Sequence, residues 1–470
     1  MTNRIRRSDG DGRDGHETAA GSPDEKPLAV SRRDTVRLLG SGVALGGLAT
    51  AVPVAADIET PTALQVDGNR ITTADGTPIT LRGINTIDPK RANATASERS
   101  LDAVGMIDRV TDSAAGWEPR VLRIPVQPVD IGDYEPGQAP EPVAFTRQQL
   151  EAYLETHLDP VVQRCVERGV YAIVDFHRHW PGIEWGDERA GTINQPLQDE
   201  AMIFWNVVAP RYADDEHVIY ELYNEPTEPG MWGSPEEEWV QSVWYLYLQF
   251  AQPIVDTIRA HTEKLVLVGS PGWSQSPEGA LIEPIAGENI AYTYHIYPGH
   301  EVSKQGAWDD ASINGEGVAN VYEEFPLFVT EFGWHDTDDR WLGGTTSEFG
   351  EPFVEWLESS DAINWTAWCG DIWWEPALFT DDGDDWALLG RDAGTLEDAG
   401  EYVRQALATG GVPADYWNTD DSTDDGSTDD GSTDDGSTDD GSTDDGSTDD
   451  EESSTDKCSD DSHPGRGKGR

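Results

Sequence analysis

Val218-Ile219-Tyr220-Glu221-Leu222-Tyr223-Asn224-Glu225-Pro226 is an apolar, β-branched and aromatic run that closes on an amide, a carboxylate and a proline. Continuous Val, Ile, Leu and aromatic content suits a parallel strand covered on both faces, and the proline ends it. Seven further runs of the same kind occupy 79–85, 121–126, 170–177, 264–273, 290–297, 326–334 and 362–370. The stretches between them are long enough for crossover helices. One shows its period plainly: Leu150, Leu154, Leu158, Val162 and Val166 recur four apart, and Gly169 stands where a C-terminal stop belongs. Eight alternating units predict a closed (β/α)8 TIM barrel of the α/β class rather than an open doubly wound sheet. Ahead of the first run, Asp67-Gly68 and Asp75-Gly76 mark tight turns in a hairpin-like stretch, 64–79, expected to plug the barrel floor.

The flanks differ from this body. Ser31-Arg32-Arg33-Asp34-Thr35-Val36-Arg37-Leu38-Leu39 leads into a Gly/Ala-rich apolar run at 40–51 and then the small residues Val54-Ala55-Ala56. This has the form of a twin-arginine export signal, and its apolar run falls short of the about 20 residues that span a bilayer. At the other end Ser-Thr-Asp-Asp-Gly repeats with period five from about Asp421 to Asp450. A segment with so little to bury is expected to be a disordered, self-repelling tail. The expected organisation is therefore a signal region at 1–56, a barrel at 57–415 and a tail at 416–470. The expected product is secreted, monomeric and free of the membrane once the signal is cleaved.

The 470 residues include 32 Lys+Arg and 90 Asp+Glu, a formal charge of -58. Residues 57–419 alone carry 20 against 64, a net charge near -44, so the tail is not the cause. Such a body repels the phosphates of nucleic acid and of anionic membrane. It suits salt: at about 1 M the Debye length falls to about 3 Å and the mutual repulsion of surface carboxylates is screened. Cys165, Cys369 and Cys458 form neither a CxxC nor an even set, which argues against a disulfide framework and a thiolate zinc site and predicts buried thiols.

In a barrel of this kind the active site lies at the carboxyl ends of the strands. Arg123 lies in the second run, His177 ends the third, Asn224 and Glu225 end the fourth, and His295 and Tyr297 end the sixth. Glu331 is in the seventh and Trp368 near the end of the eighth. Two carboxylates, a guanidinium, two imidazoles, an amide, a phenol and an indole thus converge on one mouth. Glu331 sits within Phe328-Val329-Thr330-Glu331-Phe332, where an idle carboxylate is costly to bury. Asp175-Phe176-His177-Arg178-His179 has the alternation of metal ligands, but no further Cys or His cluster completes a shell. Asp381-Asp382-Gly383-Asp384-Asp385 lacks a calcium-loop spacing, and Gly269-Ser270-Pro271-Gly272 is no nucleophile elbow. Neither metal nor cofactor is expected.

The 220–226 segment and Val329-Thr330-Glu331-Phe332-Gly333-Trp334 resemble the acid/base and nucleophile motifs of glycoside hydrolase family 5, the retaining cellulases and mannanases, here of a secreted, haloarchaeal type. The resemblance spans about residues 61–408. It implies Glu225 as acid/base, with a raised pKa, and Glu331 as nucleophile beside Arg123. It implies that Asn224 holds the sugar 2-hydroxyl, that Tyr297 donates to Glu331 and that His295 tunes Glu225, with His177 also lining the site. Indole faces suit the C–H face of a pyranose. Of 18 tryptophans, Trp368 is the expected subsite platform, with Trp180, Trp232 and Trp273 as further candidates among those following strand ends, which include Trp185, Trp334, Trp373 and Trp374. The implied activity is endo-β-1,4-glucanase. A β-1,4-mannanase or other family 5 β-glycanase, and a non-catalytic β-glucan-binding barrel, are the alternatives.

Overall fold

The computed structural model describes residues 60–179, 183–231, 237–309, 317–383, 385–391, 393–414 and 416–417. The export segment and the acidic repeats lie outside the described residues, as do Trp180, Trp232 and Cys458.

Eight parallel strands close into a barrel: β1 Arg82–Asn85, β2 Val121–Val126, β3 Tyr171–Phe176, β4 Val218–Glu221, β5 Val266–Val268, β6 Ile290–Ile296, β7 Leu327–Phe332 and β8 Ile363–Ala367. Each of the eight sequence runs supplies one strand, and β8 closes the circle by pairing Trp365 with Arg82 of β1. Strand alternation divides the apolar residues into two cores. Leu122, Ile124 and Val126 of β2, like Ala172, Val174 and Phe176 of β3, pack with the helical layer. Val121, Ile173, Ile219, Leu267, Ala291 and Phe328 point into the barrel and cluster with Leu64 and Ile71. The last two come from an antiparallel hairpin, Leu64–Asp67 with Arg70–Thr73, which therefore plugs the floor. Each buried Val, Leu, Ile or Phe of this cluster contributes about 1.5–3 kcal/mol, so the floor holds the strands firmly beneath the mouth. Above it the inward positions turn polar: Arg123, Asp175, Glu221, Thr293, His295 and Thr330 are all buried.

The four-residue spacing from Leu150 to Val166 is wider than the 3.6 of an α-helix, and the chain absorbs the difference. Helix Arg147–Tyr153 passes through a π-helical turn, Leu154–Leu158, into helix Asp159–Glu167. Leu150, Leu154, Leu158 and Val162 stay buried as a result. Gly169 then adopts φ 74°, the left-handed stop. Cys165 and Cys369 are buried free thiols, and burial pushes Cys165 up to about 12. Past the last helix, Ala399–Thr409, Tyr416 is buried edge-on against Tyr402 and donates its hydroxyl to the Leu396 carbonyl. Trp417 Nε1 donates to Glu351. The packed body thus continues past residue 415, where composition changes, because these two aromatic rings find partners on it.

Candidate active site

Arg123 organises the mouth. Its guanidinium, with no exposure, donates to Glu221 through Nε (2.6 Å) and Nη2 (3.0 Å), to Glu331 through Nη1 (2.7 Å) and to Asn224 Oδ1 through Nη2 (2.6 Å). Asp175 lies 3.0 Å from Nη2 and 2.6 Å from His177 Nδ1. A fixed planar fork with five donors can serve several acceptors at once, which a lysine could not. Burial disfavours charge on Glu221, yet Arg123 overrides this and holds the carboxyl below its ordinary value. Asp175 is different: burial, reinforced by Glu221 and Glu331, pushes it well above the usual carboxylate range despite Arg123. Burial and the neighbouring His179 likewise keep His177 well below an ordinary imidazole, so the Asp175–His177 contact joins two groups that resist charging.

Glu331 reaches this cluster through a break in strand regularity. Leu327 and Val329 belong to the helix-facing core, so unbroken alternation would turn residue 331 outward as well. Tyr294 of β6 pairs with Val329, but His295 pairs with Glu331, which leaves Thr330 as the extra residue of a β-bulge. Both Thr330 and Glu331 then face the mouth. The Thr330 carbonyl accepts from Asn85 Nδ2 at 2.9 Å and from Thr366 Oγ1 at 2.7 Å. Asn85 Oδ1 in turn accepts from Arg123 Nη1, so the bulge and the guanidinium share one clamp.

Glu225 follows β4 at the end of a short loop whose amides are tied to the end of β3 and the residues just after it: Asn224 N–H donates to the Phe176 carbonyl and Glu225 N–H to that of Arg178. His295 Nδ1 lies 3.0 Å from Glu225 Oε1 and 3.6 Å from Glu331 Oε2. Its Nε2 contacts Thr330 Oγ1 at 2.9 Å, and that hydroxyl donates to Glu221 at 3.0 Å. Burial opposes a charged ring, but the charge of Glu331 and the contacts with Glu221 and Glu225 prevail and push His295 up to about 9. The charged ring reverses the expectation for Glu225. Burial alone raises that carboxyl, as its apolar context suggests, yet the His295 hydrogen bond and charge outweigh burial and lower it. Tyr297 donates its hydroxyl to Glu331 Oε2 at 3.1 Å.

Oxygens of Glu225 and Glu331 and a ring nitrogen of His295 lie within 4.8 Å of one another. A cation among them would face Arg123, already 2.7 Å from Glu331, and a charged His295. Two carboxyls at this separation suit proton transfer and nucleophilic attack at one carbon.

Residues 72–372 match the family model described as Cellulase (glycosyl hydrolase family 5). The chain belongs to glycosyl hydrolase family 5. Among relatives, it is 28% identical over 321 residues to Endoglucanase C of Evansella cellulosilytica, covering 65% of this chain and 35% of that protein. It is 25% identical over 368 residues to Cellulase CelDZ1 of Thermoanaerobacterium, covering 74% and 81%. The chain spans about a third of the length of the first curated relatives it matches. A β-glucanase of Saccharophagus degradans, solved with cellotetraose, shares the fold with a TM-score of 0.56 at 21% identity, covering 77% of this chain and 98% of that one.

In this family 5 barrel, Arg123, His177, Asn224, Glu225, His295, Tyr297, Glu331 and Trp368 all converge on the mouth. Trp368 is stacked at 16° to His177, with ring centroids 5.9 Å apart. Trp273 is half-buried in a left-handed turn whose amide donates to the Pro226 carbonyl, one residue beyond Glu225. Trp185 and Trp334 are wholly buried and belong to the core, where no sugar reaches them. Glu221, Asp175, Asn85 and Thr330 complete the shell and were not singled out as site residues from sequence. Their strand parity was the available signal: residues two apart from inward positions share the barrel interior.

Proposed function

We propose that this chain is a retaining endo-β-1,4-glucanase. Supporting this are the family, relatives named endoglucanases and cellulases, and above all the spacing of Glu225 and Glu331. Retaining enzymes hold their two carboxyls about 5–5.5 Å apart, whereas inverting ones leave room for a water. Glu331, held by Arg123 and Tyr297, attacks the anomeric carbon while Glu225 gives its proton to the departing oxygen. The C–O bond breaks, the reducing-end portion leaves, and a glycosyl ester on Glu331 remains. Glu225, now a base, takes a proton from water as that water attacks the same carbon, releasing Glu331 and a β-configured product. Asn224, oriented by Arg123, holds the sugar 2-hydroxyl, and Trp368 supports the ring beside the cut. His177, Trp273, Trp180 and Trp232 complete the proposed sugar contacts.

The test is a reducing-sugar assay at high salt on carboxymethylcellulose, β-mannan, xylan and mixed-linkage glucan, followed by proton NMR of the first product. Release of the β-anomer from the cellulosic substrate is expected. A first α-anomer overturns retention, preference for mannan overturns the choice of sugar, and substrate binding without turnover points to a binding barrel.

We further propose, from sequence form and charge, that residues 1–56 direct twin-arginine export and are removed. The mature protein is then a secreted, salt-adapted monomer of haloarchaeal type with an acidic tail after the packed body. Processing of the precursor by a twin-arginine export system, lost when Arg32 and Arg33 are replaced by Lys, tests the first part.

A further inference from the structure

The loop after β8 carries two adjacent indoles, Trp373 and Trp374, and a buried ion pair fixes both. Asp371 has no exposure and accepts both backbone amides, from Trp373 at 3.2 Å and from Trp374 at 3.0 Å. Its carboxylate is gripped by Arg99, only 2% exposed, through Nε at 2.7 Å and Nη2 at 3.0 Å. The same guanidinium lies 4.2 Å beneath the Trp373 ring, which is nevertheless 42% exposed. One indole face is thus backed by a cation and the other is offered to solvent. Trp374 tilts against Trp368, with centroids 6.0 Å apart, so the pair is continuous with the platform beside the catalytic carboxylates.

A large exposed indole normally gains by turning into the core, and here an otherwise costly buried ion pair holds it out. We propose that Trp373 is a distal sugar platform for the glycone side of a β-1,4-linked chain, several residues of which lie along the mouth before the cut. The direction follows from barrel order. Glu225 follows β4, and β8, whose following loop carries Trp373, lies diametrically opposite, with Arg99 in the segment after the adjacent β1. The leaving group departs beside the acid that protonates it, so the retained portion extends the other way, toward Trp373. Arg99 and Asp371 act as positioning residues for this platform. The inference rests on the retaining-glycanase reading above.

The experiment compares wild type, Trp373→Ala and Trp373→Phe on cellotriose through cellohexaose. It measures kcat/KM at each length and, with the reducing end labelled by 18O, which bond is cut. Wild type should gain with chain length. Trp373→Ala should lose about fivefold on the longest substrates, chiefly in KM, and shift its cuts toward the non-reducing end. Trp373→Phe, which keeps a flat ring, should retain most of the gain and the wild-type cutting pattern. The same length dependence and the same cutting pattern in Trp373→Ala overturn the platform while leaving the glucanase reading intact. If wild type cuts manno-oligosaccharides instead, that reading of the sugar fails, and the same comparison in the manno series decides the platform.

Discussion

His295 holds Glu225 through Nδ1 at 3.0 Å and, on its other side, reaches the buried Glu221 through the Thr330 hydroxyl. Coupled groups titrate as a pair, so the proton needed by the leaving group is shared between ring and carboxyl. With His295 pushed up to about 9, the pair keeps that proton through neutral pH and loses it as pH rises through about 9. His295→Gln leaves the proton to Glu225 alone. The alkaline limb of kcat/KM should then move to lower pH, while the acid limb stays near its place. An unmoved alkaline limb would show that the ring merely packs.

Glu225→Ala and Glu331→Ala should each lower kcat on cello-oligosaccharides by at least about a thousandfold. Azide separates their roles. It needs no base to attack the glycosyl ester on Glu331, so it should restore turnover to Glu225→Ala on a substrate with a good leaving group, giving a β-glycosyl azide. It should restore none through that ester in Glu331→Ala. Reversed rescue would exchange the two assignments.

Asn85 clamps the freed carbonyl of Thr330 and accepts from Arg123, so it fixes Glu331 from two directions without facing the substrate reaction itself. Asn85→Ala should lower kcat by about tenfold with little change in KM, because small misplacement of a nucleophile is felt mainly in the chemical step. Thr366→Val, which removes the second bond to the same carbonyl, should act in the same direction. An increase confined to KM would contradict the clamp.

Much of this could be read from the chain alone. Strands covered on both faces announce themselves as unbroken apolar runs, and polar residues at their ends, such as Glu225 and His295, stand out against that background. Thr330 did not stand out, because a bulge depends on the pairing of two distant strands and Leu327 to Phe332 looks regular by itself. The direction of the Glu225 shift is hidden from the sequence for a related reason. Its neighbours in sequence are apolar, but its decisive neighbour, His295, is 70 residues away. Glu221 is hidden inside an apolar strand, because the partner that makes its burial tolerable, Arg123, is distant in sequence.

Glu278 is fully buried, and neither carboxylate oxygen has a hydrogen-bond partner among the described residues. Burial pushes it up to about 8. The unfolded chain releases this proton near 4.5 and the folded chain near 8, so stability is complete below the first value and lost as pH rises toward the second. Glu278→Gln should remove this dependence. The variant should melt higher than wild type at pH 8, by an amount of order a few kcal/mol in stability, and close to it at pH 4.5. A variant less stable at pH 8 would mean that the carboxylate is paired there.

The charge near -44 on residues 57–419 predicts that melting temperature and activity rise together from about 0.1 M to molar salt. Sodium and potassium chlorides at equal ionic strength distinguish plain screening, which is blind to the cation, from carboxylate hydration. A chain ending after Trp417 should behave like the full chain, because the acidic repeats offer little to bury. Identical melting at low and high salt would remove the case for salt adaptation, and a large loss on truncation would show that the tail docks.

The Thr330 bulge ties chemistry to a count of residues. In a strand of period two, no exchange of one side chain for another moves a position from the helix-facing row to the lumen-facing row; only adding or removing a residue does. A lineage or a design campaign that explores substitutions alone can therefore alter the identity of residue 331 without ever gaining or losing its aim. Acquiring this nucleophile is a step in chain length, with Asn85 and Thr366 as the fittings that make the added residue tolerable.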